Sequence, residues 1–102
     1  MKVIELTNAN FNDTIANSGK PVLVDFWASW CGPCRMLSPV VDEVAEEHDE
    51  IVVGKVNVDE QPDLASRFGI MSIPTLIVFK DGALYKQSLG VIPKEQILAL
   101  FN

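Results

Sequence analysis

Residues 22–28 read Val-Leu-Val-Asp-Phe-Trp-Ala, an apolar run broken only by Asp25. No other feature restricts the fold as strongly. Continuous apolarity over a strand's length implies a strand covered on both faces, hence central and paired in parallel. A second apolar strand follows at Ile51–Val58. Between the two, a helix is expected from about Gly32 to His48. Leu37, Val40, Val41, Val44 and Ala45 fall on one stripe of it, and Asp42, Glu43, Glu46 and Glu47 on the other face. Pro39 lies inside this helix and should kink it, because its ring clashes one turn back and one donor is lost.

The remaining segments complete an alternating pattern. Val3–Leu6 reads as a short strand. Asn8–Asn17 reads as a short helix, with Phe11 and Ile15 at i,i+4 and Thr7 or Asn8 as its cap. Gly19-Lys20-Pro21 breaks it. Pro62–Phe68 is a short helix stopped by Gly69. Thr75–Phe79 and Ala83–Leu89 flank Lys80-Asp81-Gly82, which predicts an antiparallel hairpin. Pro93–Phe101 is a closing helix with Ile97, Leu100 and Phe101 inward. The order β-α-β-α-β-α-β-β-α predicts a parallel sheet with helices on both faces and an antiparallel edge hairpin. At 102 residues, without repeats or a linker, the chain is expected to form one domain over 1–102.

Composition narrows the function. Apolar residues make up 48% and charged residues 22%, enough to build a core and unlike a disordered tail. The longest uncharged run, Phe68–Phe79, contains Pro74 and is too short to cross a bilayer, so no membrane partner is expected. Eight Lys and Arg oppose fourteen Asp and Glu, a net charge of −6. No basic patch tracks a phosphate backbone, so nucleic acid is not an expected partner. The opening residues Met1–Leu6 show no signal-peptide core, which makes the reducing cytosol the default compartment.

The two cysteines, Cys31 and Cys34, lie in Trp30-Cys31-Gly32-Pro33-Cys34. This segment falls past the carboxyl end of the central strand, where open α/β sheets place their chemistry. Cys31 takes the helix N-cap position. The unpaired amides of the first turn point at its sulfur, and the helix dipole adds partial positive charge. Both favour a thiolate. Pro33 stiffens the turn at no cost in hydrogen bonds, and Gly32 leaves the sulfur open to another polypeptide. Cys34, one turn deeper and shielded, is placed to attack a mixed disulfide formed by Cys31. Two blander readings compete. A structural staple closing so small a loop would add little stability. A structural zinc site needs four ligands, and the only other soft ligand, His48, ends the helix far from Cys31, although two chains could share a metal. Neither a metal nor another cofactor is expected.

Asp25 is a second anomaly. An acid inside an apolar central strand is costly unless neutral or paired, so burial should raise its pKa.

These residues resemble the thioredoxin family. Asp25-Phe26-Trp27-Ala28-x-Trp30-Cys31-Gly32-Pro33-Cys34 is similar to its active-site signature, Ile73-Pro74-Thr75 to its proline loop, and Gly82 and Gly90 to its two late glycines. The resemblance covers nearly the whole chain. It implies the thioredoxin fold, a central mixed sheet of about five strands flanked by four helices. It implies a protein-disulfide reductase, an electron carrier acting on disulfide-containing proteins as a monomer and re-reduced by a thioredoxin reductase, usually a flavoprotein. Gly32-Pro33 between the cysteines resembles reductants rather than oxidants or isomerases.

The resemblance also assigns roles. Asp25 would help deprotonate Cys34, with Lys55 near the buried acid; the alternative for Lys55 is a lysine snorkelling along the sheet. Ile73-Pro74 would be cis, placing the Ile73 backbone beside the cysteines, where an extended substrate could pair with it. Trp30, Ile73, Gly90 and Val91 would form an apolar collar for peptides, with Pro74 also binding substrate, although Trp30 could instead pack in the core. Trp27 is expected beneath the site. His48 is expected to stabilise a helix C-terminus, and Asp42–Glu50 to be a solvated face. Met71-Ser72 and Ile92-Pro93 depart from the family pattern, and the last helix lacks a side-chain cap. The rival class is a thioredoxin-like binding module whose partner effect would survive replacement of both cysteines. A dedicated oxidase is disfavoured by Gly32-Pro33 and the absence of a signal peptide.

Overall fold

The structure, a computed structural model, describes residues 2–102. Nine elements follow in order: β1 (Val3–Glu5), α1 (Phe11–Asn17), β2 (Val22–Trp27), α2 (Gly32–Glu47), β3 (Val52–Asn57), α3 (Pro62–Arg67), β4 (Thr75–Lys80), β5 (Ala83–Leu89) and α4 (Lys94–Ala99). The sheet order is β1-β3-β2-β4-β5. β1, β3 and β2 run parallel, while β4 pairs antiparallel with both β2 and β5. The thioredoxin-type mixed sheet of five strands with four helices is therefore present. The expected antiparallel edge hairpin is present, with β5 at the edge and β4 joining it to β2. β2 is central as expected, yet parallel to only one neighbour. Burial on both faces, not strand direction, is what its apolar run encodes.

Alternation along β2 divides the core. Val22, Val24 and Phe26 join Phe11, Ile15, Leu64 and Phe79 on the side of α1 and α3. Leu23 joins Leu37, Val41, Val44, Val53, Leu76 and Ile97 on the side of α2 and α4. Asp25 shares the parity of Leu23, so its carboxyl lies on the α2 side. Lys55 shares the parity of Val53 and faces the same way. The parallel register sets Asp25 directly opposite Lys55.

Close packing fixes one glycine. A Cβ on Gly54 would lie 2.7 Å from Leu6 Cγ and closer still to Leu6 Cδ1. Leu6 is fully buried, so glycine is what lets it lie across β3. The β4–β5 turn uses Asp81 and Gly82, both at positive φ, as a two-residue hairpin loop matching the sheet twist requires.

Element ends differ from expectation where turns intervene. α1 begins at Phe11 rather than Asn8, and no side chain caps it at the N-cap residue Asn10. Thr7 Oγ1 accepts the Ala9 amide instead, and Asn10 Oδ1 accepts the Thr7 amide, so these side chains organise the preceding turn. α4 is shorter than Pro93–Phe101 and lacks a side-chain cap, as expected. Ile97 is buried, whereas Leu100 and Phe101 are half-buried against the α2-side core. His48 is the C-cap of α2, its amide donating to the Val44 carbonyl and its ring meeting Glu50.

Candidate functional site

The chain turns abruptly after β2, and Cys31 becomes the N-cap of α2 with extended backbone, φ −90° and ψ 111°. Its sulfur accepts the Cys34 amide at 3.2 Å. Pro33 occupies the first turn, where a missing N–H leaves nothing unpaired. The two cysteines form a disulfide with their Cα atoms 5.2 Å apart. That separation lies within the normal range for a cross-link. Cys34 is buried as anticipated, but Cys31 is only 4% exposed in this oxidised state, less open than the bare glycine beside it suggested. Both sulfurs pack with Ala28, Trp27, Val58 and Ile73. Trp27 is half-buried there, beneath the site.

The Ile73-Pro74 bond is cis. The Ile73 carbonyl oxygen lies 3.8 Å from Cys31 Sγ. Gly90 donates its amide to the Pro74 carbonyl at 2.8 Å, which ties the loop after β5 to the proline loop. Thr75 Oγ1 closes the proline loop by donating to the Ser72 carbonyl at 2.7 Å. Ile73 is half-buried, Pro74 buried, and Val91 exposed. Trp30 is 67% exposed, which rules out core packing. Its indole N–H donates to Asp59 Oδ2 at 2.8 Å. Asp59 was not anticipated; its only signal is its place in the loop after β3, at the same end of the sheet as the cysteines.

Asp25 is 1% exposed, and its Oδ1 has no hydrogen-bond partner among the described residues. Burial raises its pKa from 3.8 to about 7; the Lys55 charge opposes this and the Asp42 charge adds to it. Lys55 lies opposite Asp25 but directs its ammonium elsewhere, to Ser38 Oγ at 2.5 Å and Asp42 Oδ1 at 2.8 Å. Asp42 is thus not part of a solvated face, as Asp42–Glu50 suggested. It is half-buried and paired. Its place eight residues after Cys34 is the only hint in the sequence, and that spacing does not separate a lysine partner from solvent. No group of three or more His, Cys, Asp and Glu stands together to hold a metal ion among the described residues.

Comparison with known proteins agrees with this geometry. A sequence model of the thioredoxin family matches residues 2–102. The chain belongs to the thioredoxin family. It is 61% identical to a thioredoxin of Alicyclobacillus acidocaldarius over 95 residues, covering 92% of this chain and 90% of that one. It is 50% identical to a thioredoxin of Pyropia yezoensis over 103 residues, covering 100% and 96%. Thioredoxin 1 of Synechococcus elongatus is 54% identical over 90 residues, covering 87% and 84%. With the Cys31–Cys34 disulfide at the head of α2, family membership makes this chain a dithiol-disulfide oxidoreductase. Thioredoxin-family membership also carries disulfide-containing substrates and a reductase as general partners. No helix among the described residues is long and apolar enough to cross a membrane.

Proposed function

We propose that this chain reduces disulfides in other proteins, with Cys31 as nucleophile, Cys34 as resolving thiol and Asp25 as the proton acceptor that serves Cys34. The observation that carries the reading is the Cys31 sulfur seated at the N-cap of a sixteen-residue helix and accepting its Cys34 amide. In the reduced protein the same amide and the helix dipole favour the Cys31 thiolate. That thiolate attacks one sulfur of the substrate disulfide. A Cys31–substrate S–S bond forms, the substrate S–S bond breaks, and its second sulfur leaves as a thiolate. Cys34 gives its proton to Asp25 and attacks the Cys31 sulfur. The Cys31–Cys34 bond forms and the first substrate sulfur leaves as a thiolate. The substrate gains two electrons and, on protonation of its thiolates, two protons.

The Cys34 attack is intramolecular at a fixed distance, which gives it a high effective concentration. Asp25 suits the acceptor role because burial holds its affinity for a proton near neutrality. Gly32 and Pro33 set the turn that spaces the sulfurs. Ile73, Pro74, Gly90 and Val91 offer backbone and apolar surface to an extended substrate segment, and Trp30 flanks it. Lys55 acts on Asp25 electrostatically. A thioredoxin reductase returns electrons to the disulfide, and the chain works as a monomer in the reducing cytosol. Neither role calls for a bound cofactor in this chain.

The test combines turnover with trapping. Reduced protein is mixed with a disulfide-bonded protein, and reduction is followed by thiol release. Cys34→Ser should stop turnover and accumulate an adduct linked through Cys31. A Cys34→Ser protein that yields no such adduct while the wild type turns over rules out the assigned order of attack.

A further inference from the structure

We propose that Ser38 and Asp42 are positioning residues that hold the Lys55 ammonium against α2, so that it does not bond and neutralise Asp25. The inference rests on the role given to Asp25 above. Three observations support it. Cys34, Ser38 and Asp42 follow at intervals of four along α2, a spacing that sets them on one line of the helix. That line faces the α2 side of the sheet, where Asp25 and Lys55 stand opposite one another on adjacent strands. Both hydrogen bonds of the Lys55 ammonium go to this line, and neither goes to Asp25, whose Oδ1 stays buried and unpartnered.

The arrangement is a choice among destinations. An ammonium on the strand beside a buried, unpaired carboxylate would otherwise find its best partner there. It could also turn outward, because Lys55 lines a cavity of about 420 Å³ together with Glu5, Trp27, Asn57 and Gln61. Ser38 and Asp42 exclude both alternatives. No other group around the pair bonds the lysine among the described residues. The partner of Asp25 on β4 is the apolar Leu76. Glu5, across from Lys55 on β1, and Glu60 are exposed and line the outer cavity with it, and neither bonds the ammonium. Once the disulfide is reduced, the Cys34 thiol is the remaining titratable group on this line of α2. With Lys55 held by α2, Asp25, the acceptor assigned to that thiol, stays unpaired.

The test reads Asp25 directly, by carboxyl-carbon NMR titration of the oxidised protein, which needs no turnover. A failed reductase role and a failed tether are therefore distinguishable. Ser38→Ala changes no charge. It should lower the Asp25 midpoint by about one pH unit, the size expected when a cation gains contact with a carboxylate. Ser38→Thr, which keeps the hydroxyl, should restore it. Asp42→Asn should lower the midpoint further, and by clearly more than the same change does in a Lys55→Met background, where only the loss of the Asp42 charge remains. The pH profile of disulfide reduction should shift with the midpoint. An unmoved midpoint in Ser38→Ala overturns the proposal. A raised one does so too, because it would mean that the lysine had swung into the outer cavity. Equal effects of Asp42→Asn in the two backgrounds would show that Asp42 acts by its own charge alone.

Discussion

Asp25→Asn is the most informative single substitution. Folding takes the carboxyl from water, where its pKa is 3.8, into a site where burial raises it to about 7. The folded state therefore holds this proton more tightly than the unfolded state does. Stability from this group is fully present below the unfolded value, near pH 4, and is lost as pH rises towards 7. Above pH 7 the loss levels off at about 4 kcal/mol, since each unit of difference is about 1.4 kcal/mol. Residue burial of 99% leaves little solvent screening to reduce that figure. Asparagine keeps the shape and removes the charge. Its advantage over the wild type should be small near pH 4 and grow by about 2.5 kcal/mol between pH 5 and pH 8. Urea unfolding of the two oxidised proteins at a series of pH values measures this difference, with all other titrating groups cancelling. Reduction of a protein disulfide should be slower in the variant at neutral pH, because an amide cannot accept the Cys34 proton. A stability difference that stays constant from pH 4.5 to pH 8 would show that Asp25 is not ionised at a cost in the folded protein, and the reasoning would fail.

Two other substitutions test the frame and the rim of the site. Gly54→Ala forces a methyl into buried Leu6 and should lower stability by about 1–3 kcal/mol in urea unfolding; an unchanged midpoint would mean that Leu6 can move aside freely. Trp30→Ala should leave stability within about 0.5 kcal/mol, as for an exposed side chain. It should also lower kcat/KM about tenfold for a protein disulfide, with a smaller effect on a small-molecule disulfide. Equal losses on both substrates would place Trp30 in the chemistry rather than in recognition.

What the sequence disclosed and what it hid follow from the range of the interactions involved. Cys31 at the N-cap, Pro33 in the first turn and the Asp-Gly hairpin are settled by neighbours within four residues, and they stand where local rules put them. The burial of Asp25 is equally legible, because a charge inside an apolar strand has one consequence whichever way the strand is paired. Strand direction is different. The β2 run records that both faces are covered, and an antiparallel β4 covers it as well as a parallel one, so the apolar pattern carried no information about β4. The partners of Lys55 were hidden for a related reason. Ser38 and Asp42 look like ordinary polar positions of an amphipathic helix until the angle at which α2 crosses the sheet is known. An acidic residue at the margin of the apolar stripe can face water or a strand lysine, and periodicity alone does not distinguish them. Charges well away from a helix's apolar stripe, such as Glu46, are safely solvated, whereas those flanking it, such as Asp42, take their role from whatever the sheet presents. Here the sheet presents a lysine whose placement governs how strongly a buried acid holds its proton.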